Sequence, residues 1–307
     1  MKTTKTVDAL LANYESDNEK TRENIAKMLM QGKPGGTGRM VILPIDQGFE
    51  HGPARSFAIN PAAYDPHWQF KLGIESGCSA FAAPLGTLEA GYKTFKGQIP
   101  TILKCNHANS LSRQKENADQ AVVGTVEDAV RLGCSAIGFT IYPGSDACYA
   151  QMEEFAALSR EAKAAGLATV LWVYPRGGTL SKDGETALDV VSYGAHMGCL
   201  MGAHIIKVKL PTAHLELGEA KKVYEQYAIP RDTLTQRVSD VVKSCFDGRR
   251  IVVFSGGASK GTNEVLDEAR AIRDGGGHGS IMGRNAFQRP WDESLKLLSD
   301  IMEIYKA

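Results

Sequence analysis

The sequence lacks most of the signals that declare a function. Its six cysteines are scattered through 307 residues with no C-x-x-C pair. That excludes a zinc ribbon or a disulfide framework and predicts free thiols in a reducing, cytoplasmic compartment. The seven histidines form no H-x-H or H-E-x-x-H pattern, so neither a metal nor a cofactor is expected. No candidate strand runs into G-x-G-x-x-G, and no G-x-x-x-x-G-K-[ST] loop occurs, which argues against dinucleotide and nucleoside triphosphate binding. Charge of one sign is missing too. Lys+Arg and Asp+Glu stand at 35 each, with no basic tail to attract nucleic acid or an anionic membrane. No run of about 18 apolar residues is present, and Met1 to Lys20 is polar, so neither a membrane span nor a signal core is expected.

What is there is a repeating order. Residues 1–38 read as a charged helical extension with apolar anchors at Val7, Leu10, Leu11, Ile25, Met28 and Leu29, closed by the breaker cluster Gln31 to Gly38. Such an extension would cap the bottom of a barrel or contact a neighbouring subunit. From residue 39 to 307, short apolar runs alternate with amphipathic ones. The predicted strands are 40–45, 79–83, 101–104, 135–141, 168–174, 204–209, 251–255 and 280–283. Helical patterns fall between them, at 64–76, 87–95, 125–132, 148–165, 185–202, 233–245 and 263–274, and a last one follows at 291–305. About eight β-then-α units in one chain of this length predict an α/β fold, a (β/α)8 TIM barrel; an open doubly wound sheet is the alternative.

Barrels of this kind place their chemistry at the C-terminal ends of the strands, and those ends carry unusual residues. The sixth predicted strand ends Ile206-Lys207-Val208-Lys209. Residues two apart on a strand share a face, so both ammonium groups would point the same way. Burial and like charge disfavour the charged form, and a neutral lysine amine makes imines with carbonyls. The plain alternative is that both lysines reach solvent at a frayed strand end. The fifth strand ends Trp172-Val173-Tyr174-Pro175-Arg176, where Tyr174 near a cationic lysine or imine would have its phenol pKa lowered and act as acid and base. Asp46, after the first strand, would enter the same space or serve as a turn or N-cap aspartate. His51 is the histidine best placed to reach the mouth. Ser255-Gly256-Gly257 and Gly283-Arg284 offer backbone N–H groups and a guanidinium to a phosphate, or glycines that let helices pack closely on strands. Arg55 and Arg176 would meet a second anion or face solvent.

Taken in order, Asp46-Gln47-Gly48-x-Glu50-His51-Gly52-Pro53, Trp172-x-Tyr174-Pro175-Arg176-Gly177, Ile206-Lys207-Val208-Lys209, Ser255-Gly256-Gly257 and Gly283-Arg284-Asn285 resemble the archaeal-type class I fructose-bisphosphate aldolases, in particular their bacterial branch. The resemblance implies a metal-independent Schiff-base lyase that cleaves fructose 1,6-bisphosphate reversibly to dihydroxyacetone phosphate and glyceraldehyde 3-phosphate. It implies Lys209 as the imine lysine, Tyr174 as acid/base and Asp46 as a substrate contact that assists proton transfer. Trp172, Lys207 and His51 would bind the substrate, Trp172 lining the sugar site and His51 meeting the far end; by its like charge Lys207 would also help depress the Lys209 pKa. Ser255, Gly256, Gly257, Gly283 and Arg284 would hold the C1 phosphate. Glu219 would be a further carboxylate or an exposed helix residue. A homo-oligomer, decameric by the resemblance, is expected. The alternatives are a Schiff-base enzyme acting on another ketose phosphate and a non-enzymatic barrel subunit.

Overall fold

The computed structural model describes residues 2–112, 118–256 and 260–307. Among these, the ten strands in chain order are β1 (Met40–Pro44), β2 (Ala80–Ala83), β3 (Thr101–Lys104), β4 (Asn106–His107), β5 (Ala121–Val122), β6 (Ala136–Ile141), β7 (Ala168–Val173), β8 (Ile205–Lys209), β9 (Ile251–Ser255) and β10 (Gly279–Ile281). Eight of them, all parallel, close into a barrel in the order β1-β2-β3-β6-β7-β8-β9-β10, with β10 paired back to β1. The TIM barrel expected from the alternation is therefore the fold, and the open sheet is excluded. β4 and β5 form a separate antiparallel pair inside the long polar stretch after β3.

The alternation of side chains divides the core in two. Outward residues such as Leu171, Val173, Ile206, Val208, Val252 and Phe254 pack against the surrounding helices. Inward residues such as Ala168, Val170, Trp172, Ile205, Ile251 and Val253 fill the barrel. Gly138 on β6 leaves room for Trp172: a Cβ there would sit 2.7 Å from the indole. The helix at Val126–Arg131 opens on the Thr125/Asp128 capping box and that at Leu234–Ser244 on the Thr233/Gln236 box. The predicted helix at 185–202 instead begins at Leu188, because Ala187 is extended and bridges Thr212.

The N-terminal helices Lys5–Leu11 and Glu19–Met30 close the barrel bottom. Val7, Leu11, Tyr14, Ile25, Met28 and Leu29 share one buried cluster with the inward residues of the strands. Polar atoms that strand ends leave open there are satisfied individually. Tyr14 donates to His204 O at 2.6 Å and accepts from Ile251 N at 3.1 Å. His204 Nδ1 accepts from Thr169 N at 2.9 Å, and its Nε2 lies 3.1 Å from Asp17 Oδ1. His278 Nδ1 accepts from Val252 N at 3.2 Å.

His278 makes the bottom acid-sensitive. Burial pushes its ring down to about 4 from the ordinary 6.5, and protonating Nδ1 would also cost the Val252 hydrogen bond. The unfolded chain therefore binds this proton first. The group's stabilising contribution is full above pH 6.5, declines as pH falls toward 4, and totals about 3 kcal/mol. Urea titrations are expected to show His278→Asn, whose Oδ1 keeps the acceptor, losing about 2 kcal/mol less than the native protein between pH 7 and 5. Equal losses would reject this account.

Candidate active site

The strand ends that were expected to carry chemistry converge on one cavity of about 300 Å³ at the C-terminal mouth of the barrel. Asp46, His51, Trp172, Tyr174, Lys207, Lys209, Ser255, Gly256, Gly283 and Arg284 all line it, as do Arg55 and Arg176. Gly257 lies outside the described residues. Glu219 does not reach the cavity: its side chain is exposed on the helix Gly218–Gln226 and pairs with Lys222 at 2.6 Å.

Register explains the convergence. Trp172 on β7 pairs Lys207 on β8, and Lys209 pairs Ser255 on β9. Lys207 Nζ lies between two ring faces, 5.2 Å from the Trp172 centroid and 4.9 Å from that of Tyr174. Lys209 Nζ is 5.8 Å from the Tyr174 centroid and 3.4 Å from Glu185 Oε2. Asp46 occupies the N-cap position of the short helix Gln47–His51, yet its side chain makes no capping bond. The carboxylate is left to act on the cavity, where it partly opposes the lowering of the Lys104 and Lys207 pKa values by burial.

Burial dominates the electrostatics, as expected for the lysines and against expectation for the tyrosine. It brings Lys207 down to about 7, with Asp46 and Glu50 opposing. Lys209 also lies below its usual range, first through burial. The cations that push it further are Arg176 and Lys182, whereas the sequence pointed to Lys207. The Tyr174 phenol moves up rather than down, because its desolvation outweighs the nearby positive charge. Its hydroxyl lies 3.5 Å from Ser255 Oγ. Burial also lowers His51, with Arg55 and Arg284 adding to the effect.

Three parts of the site escaped the sequence reading. Lys104, at the end of β3, is buried, with its pKa lowered by burial to about 8. It donates to Asn106 O, to Asn106 Oδ1 at 2.9 Å and to Gln120 Oε1 at 3.3 Å. The signal was available: a lysine ends this apolar strand too. Gln120 and Tyr142, joined at 2.6 Å, belong to the loop of β5 and the end of β6 and carried no signal. Glu185 comes from a turn that had been placed inside a helix.

Among the described residues, four buried polar atoms on the cavity wall have no partner: Gln47 Oε1, His51 Nδ1, Trp172 Nε1 and Arg176 Nε. Unpaired buried groups are costly, and their gathering on one wall marks a place for a polar ligand. The lysines and arginines outnumber Asp46 and Glu50 along the lining, so that ligand is an anion. Among the described residues no group of three or more His, Cys, Asp or Glu side chains is placed to hold a metal ion.

Residues 40–289 match the DeoC/LacD family aldolase. The chain belongs to that family. A DeoC/LacD relative named probable fructose-bisphosphate aldolase class 1, from Chlamydia muridarum, is 36% identical over 307 residues, covering 95% of this chain and 86% of that protein. A fructose-bisphosphate aldolase class 1 from Thermoproteus tenax is 33% identical over 270 residues, 87% of this chain and 89% of the other. An archaeal fructose-1,6-bisphosphate aldolase, solved with its catalytic lysine covalently bound to the carbinolamine intermediate of the substrate, superposes with a TM-score of 0.74 at 30% identity, covering 88% of this chain and 95% of that one. Membership in this family makes the chain an aldolase and an enzyme, so the non-enzymatic alternative falls.

Proposed function

We propose that this aldolase is a class I fructose-1,6-bisphosphate aldolase whose imine forms on Lys209. The observation that carries the reading is the Lys209 amine itself. It is held below its usual pKa by burial at the mouth of a cation-lined cavity, beside Tyr174 and facing the space that Asp46 enters. The reactions named for the relatives above agree with it. Attack of the amine on the C2 carbonyl and loss of water leave an iminium, which draws electrons from the C3–C4 bond. Asp46 accepts the C4 hydroxyl proton as the aldehyde departs. The enamine left on Lys209 takes a proton at C3 from Tyr174, which burial keeps protonated in the resting enzyme. Hydrolysis releases dihydroxyacetone phosphate. Lys207 and Trp172 floor the sugar site.

The C1 phosphate is assigned to the β9 and β10 ends, at Ser255, Gly256, Gly283 and Arg284, with Gly257 adjoining. Lys260 is tied to the segment after β10: its N donates to Asn285 Oδ1 at 2.8 Å, and Arg289 Nη2 donates to its O at 2.8 Å. The second phosphate is assigned to Arg55, Arg176 and His51, which line the same cavity. A guanidinium–phosphate contact is worth about 1.5–3 kcal/mol. Arg284→Ala is therefore expected to raise KM for the bisphosphate about 10- to 100-fold, and an unchanged KM would remove the phosphate from this end. A homo-oligomer, decameric by resemblance, and a cytoplasmic location belong to the same reading. Light scattering tests the first.

The direct test is borohydride trapping with fructose 1,6-bisphosphate and then dihydroxyacetone phosphate, in the presence of EDTA, followed by peptide mass analysis. A reduced adduct on Lys209 with loss of activity is expected. An unmodified Lys209 together with activity abolished by EDTA would reject the imine mechanism. Trapping by a different ketose phosphate alone would keep the chemistry and change the substrate.

A further inference from the structure

A second cavity, of about 360 Å³, shares no residue with the catalytic one. It lies at the other end of the barrel, where Thr101 begins β3 and Ser135 precedes β6. Three parts of the chain enclose it: the C-terminal end of the helix Glu19–Met30, the helix Leu85–Phe95, and the turns that lead into β3 and β6. The extension and the barrel thus each supply a wall.

Most of the wall is apolar and held by the core. Leu88, Phe95, Ile99 and Leu132 are buried, and Met30 and Tyr92 pack against the buried clusters. Phe70 stacks on Phe95, nearly parallel, with the ring centroids 5.0 Å apart. Gly91 admits the Phe70 ring, which a Cβ there would meet at 2.2 Å. A space bounded in this way is preformed, and its volume falls within the range of about 300–1,000 Å³ that small-molecule sites occupy.

The charge on this wall has one sign. Lys27 and Lys96 both line the cavity, and among the described residues no aspartate or glutamate does. Lys27 Nζ donates to Asn24 Oδ1 at 3.2 Å, and Lys96 Nζ lies over the Tyr92 ring, 5.1 Å from its centroid. Neither contact neutralises an ammonium. Both lysines are exposed, so an anion beside them keeps much of its hydration while an attached apolar group leaves water.

We propose that this cavity binds a small amphipathic anion, an aromatic or branched hydrocarbon body carrying one anionic group. The body enters among Tyr92, Phe95 and Leu132, and the head meets Lys27 and Lys96. A hydrophilic anion would find only two solvated lysines, which are worth little by themselves. A neutral apolar molecule would gain the wall and forgo the head. Because Lys27 and Met30 belong to the extension, the ligand ties the extension to the barrel. None of this uses Lys209, so the proposal stands whichever ketose is cleaved.

Two fluorescent probes test it on the full-length protein in its native assembly: anilinonaphthalenesulfonate, and phenylnaphthylamine, which has the same rings and no charge. The sulfonate is expected to bind, and Lys27→Gln combined with Lys96→Gln to weaken it about 5-fold while leaving the neutral probe unchanged. Tyr92→Ala, which removes part of the wall, is expected to weaken both probes about 10-fold. Both lysines are exposed and lie outside the catalytic cavity, so cleavage at the native rate verifies that the double variant is folded. Sulfonate binding that ignores all three substitutions would place the probe elsewhere and overturn the proposal. If Tyr92→Ala weakens both probes and the lysine variant weakens neither, the cavity is an apolar site and the anion is wrong. A native assembly that binds no sulfonate would mean that the seam is covered, as by a second copy of the chain, and the proposal would fall.

Discussion

Replacing Lys209 by methionine is expected to lower kcat for cleavage by at least about four orders of magnitude and to abolish the borohydride adduct. The loss is this large because the lysine provides the covalent path itself: without an iminium there is no electron sink for the C3–C4 bond. Folding is not at risk, since the side chain is a quarter exposed and methionine keeps the length of its stem. Lys207→Met is the matching control. Lys207 is the more deeply buried of the two, and burial brings its pKa down to about 7, so depth of burial alone would single out Lys207, and the two variants tell the lysines apart. The Lys207 variant is expected to keep the adduct on Lys209 and to bind the sugar less well. An adduct that vanished with Lys207 and survived without Lys209 would exchange their roles. In the native protein, trapping should rise with pH through the depressed Lys209 pKa, in a range below the 10.5 of a free lysine.

Tyr174→Phe is expected to lower kcat about 100- to 1,000-fold, the usual loss for a general acid or base, while leaving the imine in place. The phenyl ring fills the same volume, and the hydrogen bond given up is a long one of 3.5 Å to Ser255. Burial holds the phenol above its usual pKa, so the resting enzyme carries the proton that the enamine carbon requires. Exchange of the C3 hydrogen of dihydroxyacetone phosphate with solvent should therefore fall together with cleavage, while the yield of adduct on Lys209 stays near native. If exchange proceeds at the native rate, another group protonates the enamine.

The alternation of apolar runs was enough to place the barrel strands to within a residue or two at most ends, because a strand buried on both faces has few other ways to be written. The misses share a cause. The strand predicted at 280–283 stops at Ile281, since Gly283 turns the chain into the short helix Arg284–Phe287. Asn106–His107 and Ala121–Val122 pair across a stretch that looks only polar in sequence. Glu185 was assigned to a helix because helical periodicity continues through it, while the Ala187–Thr212 bridge that pulls the segment extended is a contact between residues far apart in the chain.

By itself, then, the sequence determined the barrel, the strand ends whose residues line one cavity, and the lysine pair on one strand face, since strand order and the two-residue repeat of a strand place them. Tertiary structure decided how those groups behave. Whether Tyr174 rises or falls depends on the balance of burial against neighbouring charge, and which cation acts on Lys209 depends on loops that only folding brings together. Lys104 joins the site because closing the barrel turns the end of β3 toward Trp172, 5.8 Å away. Desolvation and Coulomb interactions act through space, and no spacing along the chain encodes them.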